Sequence, residues 1–148
     1  MIEVVIYTDG SCWGNPGPGG FGAILTCKGK ELSVRGYDCN ATNNRMELKA
    51  VLAGLRALQR PCNVTIVTDS SYLISCANHD EQWMLKSNRP NNDLWQEFID
   101  MKKAGKHSVT FRKIAGHSGD YYNERCDRIA KEQARKACHM LLKEKAEK

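Results

Sequence analysis

Ile6-Tyr7-Thr8-Asp9-Gly10-Ser11 and Ile66-Val67-Thr68-Asp69-Ser70-Ser71 carry one pattern (two apolar residues, Thr, Asp, a small residue, Ser) sixty positions apart. Each grows out of a β-branched run, residues 2 to 8 and Asn63 to Thr68, of the kind that forms a buried strand. Each also places a carboxylate where that strand ends. Sites in open α/β sheets form at the carboxyl ends of strands, so if these two strands are neighbours, Asp9 and Asp69 lie side by side there.

Around this pair the chain alternates. Gly10 to Gly22 holds six of the twelve glycines and two of the four prolines, which predicts a loop. Phe21 to Cys27 and Glu31 to Tyr37, joined by Lys28-Gly29-Lys30, predict an antiparallel hairpin. Helical spacing runs from Asn43 to Gln59, with Ala50, Val51, Gly54, Leu55 and Leu58 on one face and Pro61 just beyond. After the strand at Asn63 to Thr68 come a short helix from Ser70 to Ala77, a polar stretch through Asn92, a helix from Asp93 to Lys103 and a strand from Ser108 to Lys113. The loop Ala115 to Asp120 leads into a last helix from Tyr122. Residues 1–142 are expected to form a single domain and residues 143–148 a disordered charged tail. The order predicts an α/β fold: a five-stranded mixed sheet, antiparallel hairpin plus parallel strands, with helices on both faces.

Composition narrows the function classes. The 148 residues include 22 Lys plus Arg against 17 Asp plus Glu, a net charge of +5 that favours a polyanionic partner. The seven cysteines are odd in number and form no Cys-x-x-Cys pair, which excludes a disulfide framework and a structural zinc site and predicts a cytoplasmic protein. No apolar run approaches the roughly 18 residues of a membrane span, and no basic leader precedes the first strand.

Two further carboxylates stand out. Glu47 sits at the head of the apolar stripe of its helix, where a charge is costly unless paired or bound to a cation. A capping box, with Asn44 as cap and Glu47 three residues on, would explain the position without any function. Asp127 borders the apolar stripe of the last helix, where a solvated aspartate is the ordinary reading. Taken together, four carboxylates converging on one sheet edge repel unless metal ions neutralise them, and a hard oxygen donor set calls for Mg²⁺ or Mn²⁺. Two such ions are the device of in-line phosphoryl transfer, hence of nucleic-acid backbone hydrolysis. His117, between Gly116 and Ser118, suits a proton carrier beside such a cluster and is otherwise a surface histidine. Gly17-Pro18-Gly19-Gly20-Phe21-Gly22 matches a dinucleotide-binding pattern, but a strand follows where a helix is needed. These glycines either let a backbone approach a ligand, with Asn15 as a hydrogen-bonding side chain, or serve a tight strand connection.

Tyr7-Thr8-Asp9-Gly10-Ser11 with Gly14-Asn15-Pro16-Gly17, Thr42-Asn43-Asn44-Arg45-Met46-Glu47-Leu48, Thr68-Asp69-Ser70, Gly116-His117 and Asn123-Glu124-Arg125-Cys126-Asp127 resemble, in order, the motifs of type 1 ribonuclease H. The resemblance spans about residue 2 to residue 138. It implies a ribonuclease H-like fold and hydrolysis of the RNA strand of an RNA/DNA hybrid to 3′-hydroxyl and 5′-phosphate ends. It further implies that Asp9, Glu47, Asp69 and Asp127 bind two Mg²⁺ ions, with Mn²⁺ as a substitute and Asp9 shared, and that His117 assists proton transfer and product departure. Asn15, Asn43 and Asn44 would contact the minor groove and 2′-hydroxyls of the RNA strand, and Thr42 and Asn91 part of a DNA phosphate pocket.

The chain departs from the family pattern in three places. Ser71 stands where many members have glutamine, Asn40 where an arginine often supports the phosphate pocket. The basic protrusion of many bacterial members shrinks to Met84 to Asn92, leaving Lys86 and Arg89, with Trp83 beside it as a residue lining the DNA side. Hybrid affinity is then expected to rest on Lys102, Lys103, Lys106, Arg112 and Lys113, which could equally be a solvated face, or on an accessory protein; a free-standing monomer is expected. Rival readings are a Holliday-junction resolvase, against which the asparagines argue, a reverse-transcriptase segment, and a non-catalytic hybrid-binding module, which would be expected to have lost a carboxylate.

Overall fold

The computed structural model describes residues 1–116 and 119–147. Its sheet is built from β1 (Ile2–Cys12), β2 (Gly17–Cys27), β3 (Lys30–Ala41), β4 (Cys62–Thr68) and β5 (Ser108–Lys113), in the order β3-β2-β1-β4-β5. β1, β2 and β3 form an antiparallel meander, and β4 and β5 extend it in parallel from β1. The expected five-stranded mixed sheet is therefore present.

The helices α1 (Asn43–Arg56), α2 (Ser71–Ala77), α3 (Glu81–Met84) and α4 (Asn92–Ala104) contribute to one core, in which Ile6, Leu48, Val51, Ile66, Leu73, Trp95 and Ile99 are buried. The long α5 (Tyr121–Glu147) covers the other face over β1, β2 and β3, packing Cys126 and Ile129 on Ile24. Alternation along the chain sorts the two layers. Ala23 and Ile24 are adjacent in β2 and both fully buried, one beneath Gly54 of α1 and the other beneath α5. Central strands buried on both faces must read as continuous apolar runs, as Val4 to Tyr7 and Ile66-Val67 do.

Four local expectations differ from the structure. The glycine-rich stretch expected as a loop is mostly strand: β1 continues to Cys12 and β2 starts at Gly17. Its glycines act by their missing side chains. A Cβ on Gly20 would run into backbone atoms of Ala130 and Ala134 in α5, and one on Gly22 into the side chain of Ile129. The polar stretch before α4 contains the helical turn α3, started by Asp80, whose carboxylate accepts from the Trp83 N–H at 2.9 Å. The charged tail, expected to be disordered, continues α5 to Glu147, and Lys, Glu and Ala are all strong helix formers. Periodicity also carries α1 to Gln59, whereas bonds from Ala57 N to Gly54 O and Leu58 N to Leu55 O tighten the last turn and end the helix at Arg56. No helix among the described residues is long and apolar enough to cross a membrane.

Gly20→Ala is expected to lower the thermal midpoint by roughly 4–12 °C, corresponding to about 2–3 kcal/mol of overpacking against helix backbone. Gly22→Ala is expected to cost less, because the nearest atom its Cβ would meet is the Cγ2 methyl of Ile129, whereas that of Gly20 meets backbone atoms of α5. Circular dichroism melting of both variants checks the order; equal midpoints would refute the packing role.

Candidate active site

β1 and β4 pair in parallel from Ile2 opposite Cys62 to Tyr7 opposite Val67. That register equals the sixty-residue offset of the sequence repeat, so Asp9 and Asp69, each two residues beyond the last pair, emerge together at one sheet end. Glu47 is delivered from above. Thr42 caps α1, its hydroxyl accepting from the Arg45 N–H at 3.2 Å, which places Glu47 beyond the first turn and rules out the capping box. Gly10 lets the helix settle directly on β1, since a Cβ there would strike Glu47 N and Met46. The carboxylate is thus pressed into the sheet end with only 4% of the residue exposed.

Asp9, Glu47 and Asp69 each offer a carboxylate oxygen within 4.8 Å of the others. The Gly10 N–H donates to Asp9 Oδ1 at 2.9 Å, but Glu47 Oε2 is buried with no hydrogen-bond partner among the described residues. Burial, then Asp69 and Asp127, push the Asp9 carboxyl up to about 8. Burial, then Asp9 and Asp69, push Glu47 well above the usual carboxylate range. Three oxygen donors, a buried acceptor without a donor and suppressed ionisation together fit a hard divalent cation. Asp127 lines the same open cleft, of about 460 Å³, on the α5 side. Its Oδ2 is held by Lys131 Nζ at 2.9 Å, one helical turn away.

The expected substrate residues fall into groups. Asn15 Oδ1 accepts from the Asn43 N–H at 3.1 Å, tying the β1–β2 turn to the start of α1. Asn43 and Asn44 line the carboxylate cleft. Thr42 and Asn91 are joined through Arg45: Thr42 caps its backbone, while its guanidinium donates to Asn91 Oδ1 at 3.2 Å and grips Asp93 with two bonds of 3.0 Å. The Asn91 amide and Trp95 Nε1 both donate to the Tyr72 hydroxyl, at 3.0 and 3.1 Å. Arg45, Asp93 and Tyr72 were not singled out by sequence; the opposite charges of Arg45 and Asp93 inside two otherwise asparagine-rich motifs were the available signal.

Trp83 lies on α3, outside the set that lines the carboxylate cleft. His79 stacks on its ring at 3.7 Å and 9°, and the Arg89 guanidinium carbon lies 3.9 Å from its centroid. Two groups so close to one normal cannot share a face, so both faces are covered and only the ring edge is left for a ligand. His117 lies outside the described residues. The loop before it reaches the site, because a Cβ on Gly116 would stand 3.0 Å from Asp69 Oδ2.

Residues 1–135 match the RNase H family model. The chain is 49% identical over 142 residues to the ribonuclease H of Caldanaerobacter subterraneus subsp. tengcongensis, covering 90% of this chain and 92% of that protein. It is 46% identical to the ribonuclease H of Thermoanaerobacter sp., covering 97% of each. Among solved structures, LC11-RNase H1 in complex with an RNA/DNA hybrid superposes with a TM-score of 0.75 at 25% identity, over 92% of this chain and 99% of that one.

The carboxylate pressure has a measurable consequence without metal. An Asp9 carboxyl at about 8 when folded and near 3.9 when unfolded makes the folded state the one that holds the proton between those values. Stability therefore falls as pH rises from about 4 through 8. In EDTA the thermal midpoint is expected to drop by about 5 °C between pH 5 and pH 8.5, and Asp9→Asn to remove part of that drop, because the burial that raises Glu47 remains. A wild-type profile that does not fall over this range would contradict the repulsive cluster.

Proposed function

The chain belongs to the ribonuclease H family of endoribonucleases, and from that membership we propose that it hydrolyses the RNA strand of RNA/DNA hybrids with two divalent metal ions, leaving 3′-hydroxyl and 5′-phosphate ends. The observation that carries the metal part is the trio of buried Asp9, buried Glu47 and half-buried Asp69, with a Glu47 oxygen that has no hydrogen-bond partner among the described residues. Mg²⁺ is the proposed ion, with Mn²⁺ as a substitute. Asp9, Glu47 and Asp69 would hold the ions with Asp127 as the fourth ligand, Asp9 shared between both. When bound, such a pair makes water nucleophilic at neutral pH and stabilises the leaving oxygen.

The residues of the chain account for orientation and selectivity. Asn15, Asn43 and Asn44 would read 2′-hydroxyls across the minor groove of the RNA strand, a recognition of helical shape rather than base sequence. Thr42 and Asn91 would hold a phosphate of the DNA strand. A substrate must satisfy both groups, which favours the hybrid over either pure duplex. His117, next in sequence to the Gly116 that abuts Asp69, would move a proton at the scissile phosphate. The complex of LC11-RNase H1 with an RNA/DNA hybrid supports the substrate class.

The test is cleavage of one end-labelled sequence offered as hybrid, RNA duplex, DNA duplex and single strands, with Mg²⁺, Mn²⁺ or EDTA. Cutting of only the RNA strand of the hybrid, abolished by EDTA, is expected; cutting that persists in EDTA would overturn the metal mechanism. Asp9→Asn and Asp69→Asn should each lose on the order of 10³-fold or more in rate. Asp127→Asn should lose only about 10- to 100-fold, because the Asp127 carboxylate is already shared with Lys131.

A further inference from the structure

Lys113 closes β5 and pairs in parallel with Thr68, the residue before Asp69. It therefore stands on the same sheet rim as the carboxylates, one strand further out. Its Nζ donates to Ser71 Oγ at 2.6 Å, and Ser71 lines the cleft together with Asp9, Glu47 and Asp69. The side chain is exposed, and among the described residues it makes no salt bridge. An ammonium pinned by a neutral hydroxyl keeps its full charge and has already lost part of its rotamer freedom. Both properties favour capture of an anion arriving at that rim.

We propose that Lys113, oriented by Ser71, binds a backbone phosphate of the substrate next to the scissile one. This rests on the nuclease reading of the cleft. It also gives the Ser71 departure a physical meaning: the short hydroxyl does not reach for a base edge but aims a cation at the backbone. The contact adds affinity without sequence preference, at a position outside the shortened protrusion.

Binding of fluorescent RNA/DNA hybrids of several sequences, followed by anisotropy in EDTA across a salt series, separates the possibilities, with steady-state cleavage in Mg²⁺ as a second readout. Lys113→Gln is expected to weaken binding about 3- to 10-fold equally for all sequences, to reduce the log–log salt slope by about 1, and to raise KM with kcat within about twofold. Lys113→Arg should keep the slope, and Ser71→Ala should weaken binding less than Lys113→Gln does. An unchanged slope overturns the proposal, as does a Lys113→Gln effect confined to metal half-saturation or to thermal midpoint, which would make Lys113 a partner of the carboxylates. Wild-type protein that binds hybrid without cutting it would defeat the nuclease reading and leave the slope comparison decisive for Lys113.

Discussion

The structure is organised around an unfavourable contact: Asp9, Glu47 and Asp69, three carboxylates, the first two buried, that offer oxygens within 4.8 Å of one another at one sheet end. Like charges in such a place raise one another's pKa and oppose folding. Each is nevertheless held there by strong local determinants. The parallel β1–β4 ladder fixes both aspartates, and the Thr42 cap with the bare Gly10 surface fixes Glu47. On the proposed reading a cation would balance so over-determined and self-repelling a cluster, and the buried Glu47 oxygen, which has no donor among the described residues, marks where it would act.

The same demand explains the glycines on both faces of the sheet. To bring a helical carboxylate to a strand end, the helix axis must come closer than side chains on the strand allow. Gly10 provides this under α1, and Gly20 and Gly22 provide it under α5, the helix that carries Asp127. Close packing and site geometry are therefore one requirement, with the glycine-rich segment serving the protein's own helices from both sides.

Much of this was legible in the sequence because the decisive signal is a register. The repeat at offset sixty puts the two aspartates side by side on the condition that their strands are neighbours, the β1–β4 ladder meets that condition, and the β-branched runs and helical stripes give the layers around them. What sequence hid was interaction between distant segments. The glycines read as a loop because local composition cannot tell a turn from a strand shaved for helix contact. Glu47 fitted a capping box because the true cap, Thr42, lies two residues earlier and differs only by backbone conformation. The Arg45–Asp93 pair joins residues 48 apart, and the covered faces of Trp83 depend on His79 and Arg89 closing from both sides.

That last pair of contacts bears on how the chain would hold a polyanion with so short a protrusion. Arg45 sits between the two residues of the proposed phosphate pocket, yet its fork is occupied by Asp93, whose carboxyl it holds below its usual range. The pocket is thus rigid and nearly neutral, suited to testing the shape of a DNA strand more than to attracting it. Arg89 is stacked on an indole, and Lys102 and Lys103 are shared with Glu81. Cations left without a carboxylate therefore matter more than the net charge of +5 implies. On the proposed reading, the attraction is concentrated near the carboxylate rim, where a phosphate must pass to be cut, and selectivity is left to neutral groups that read shape.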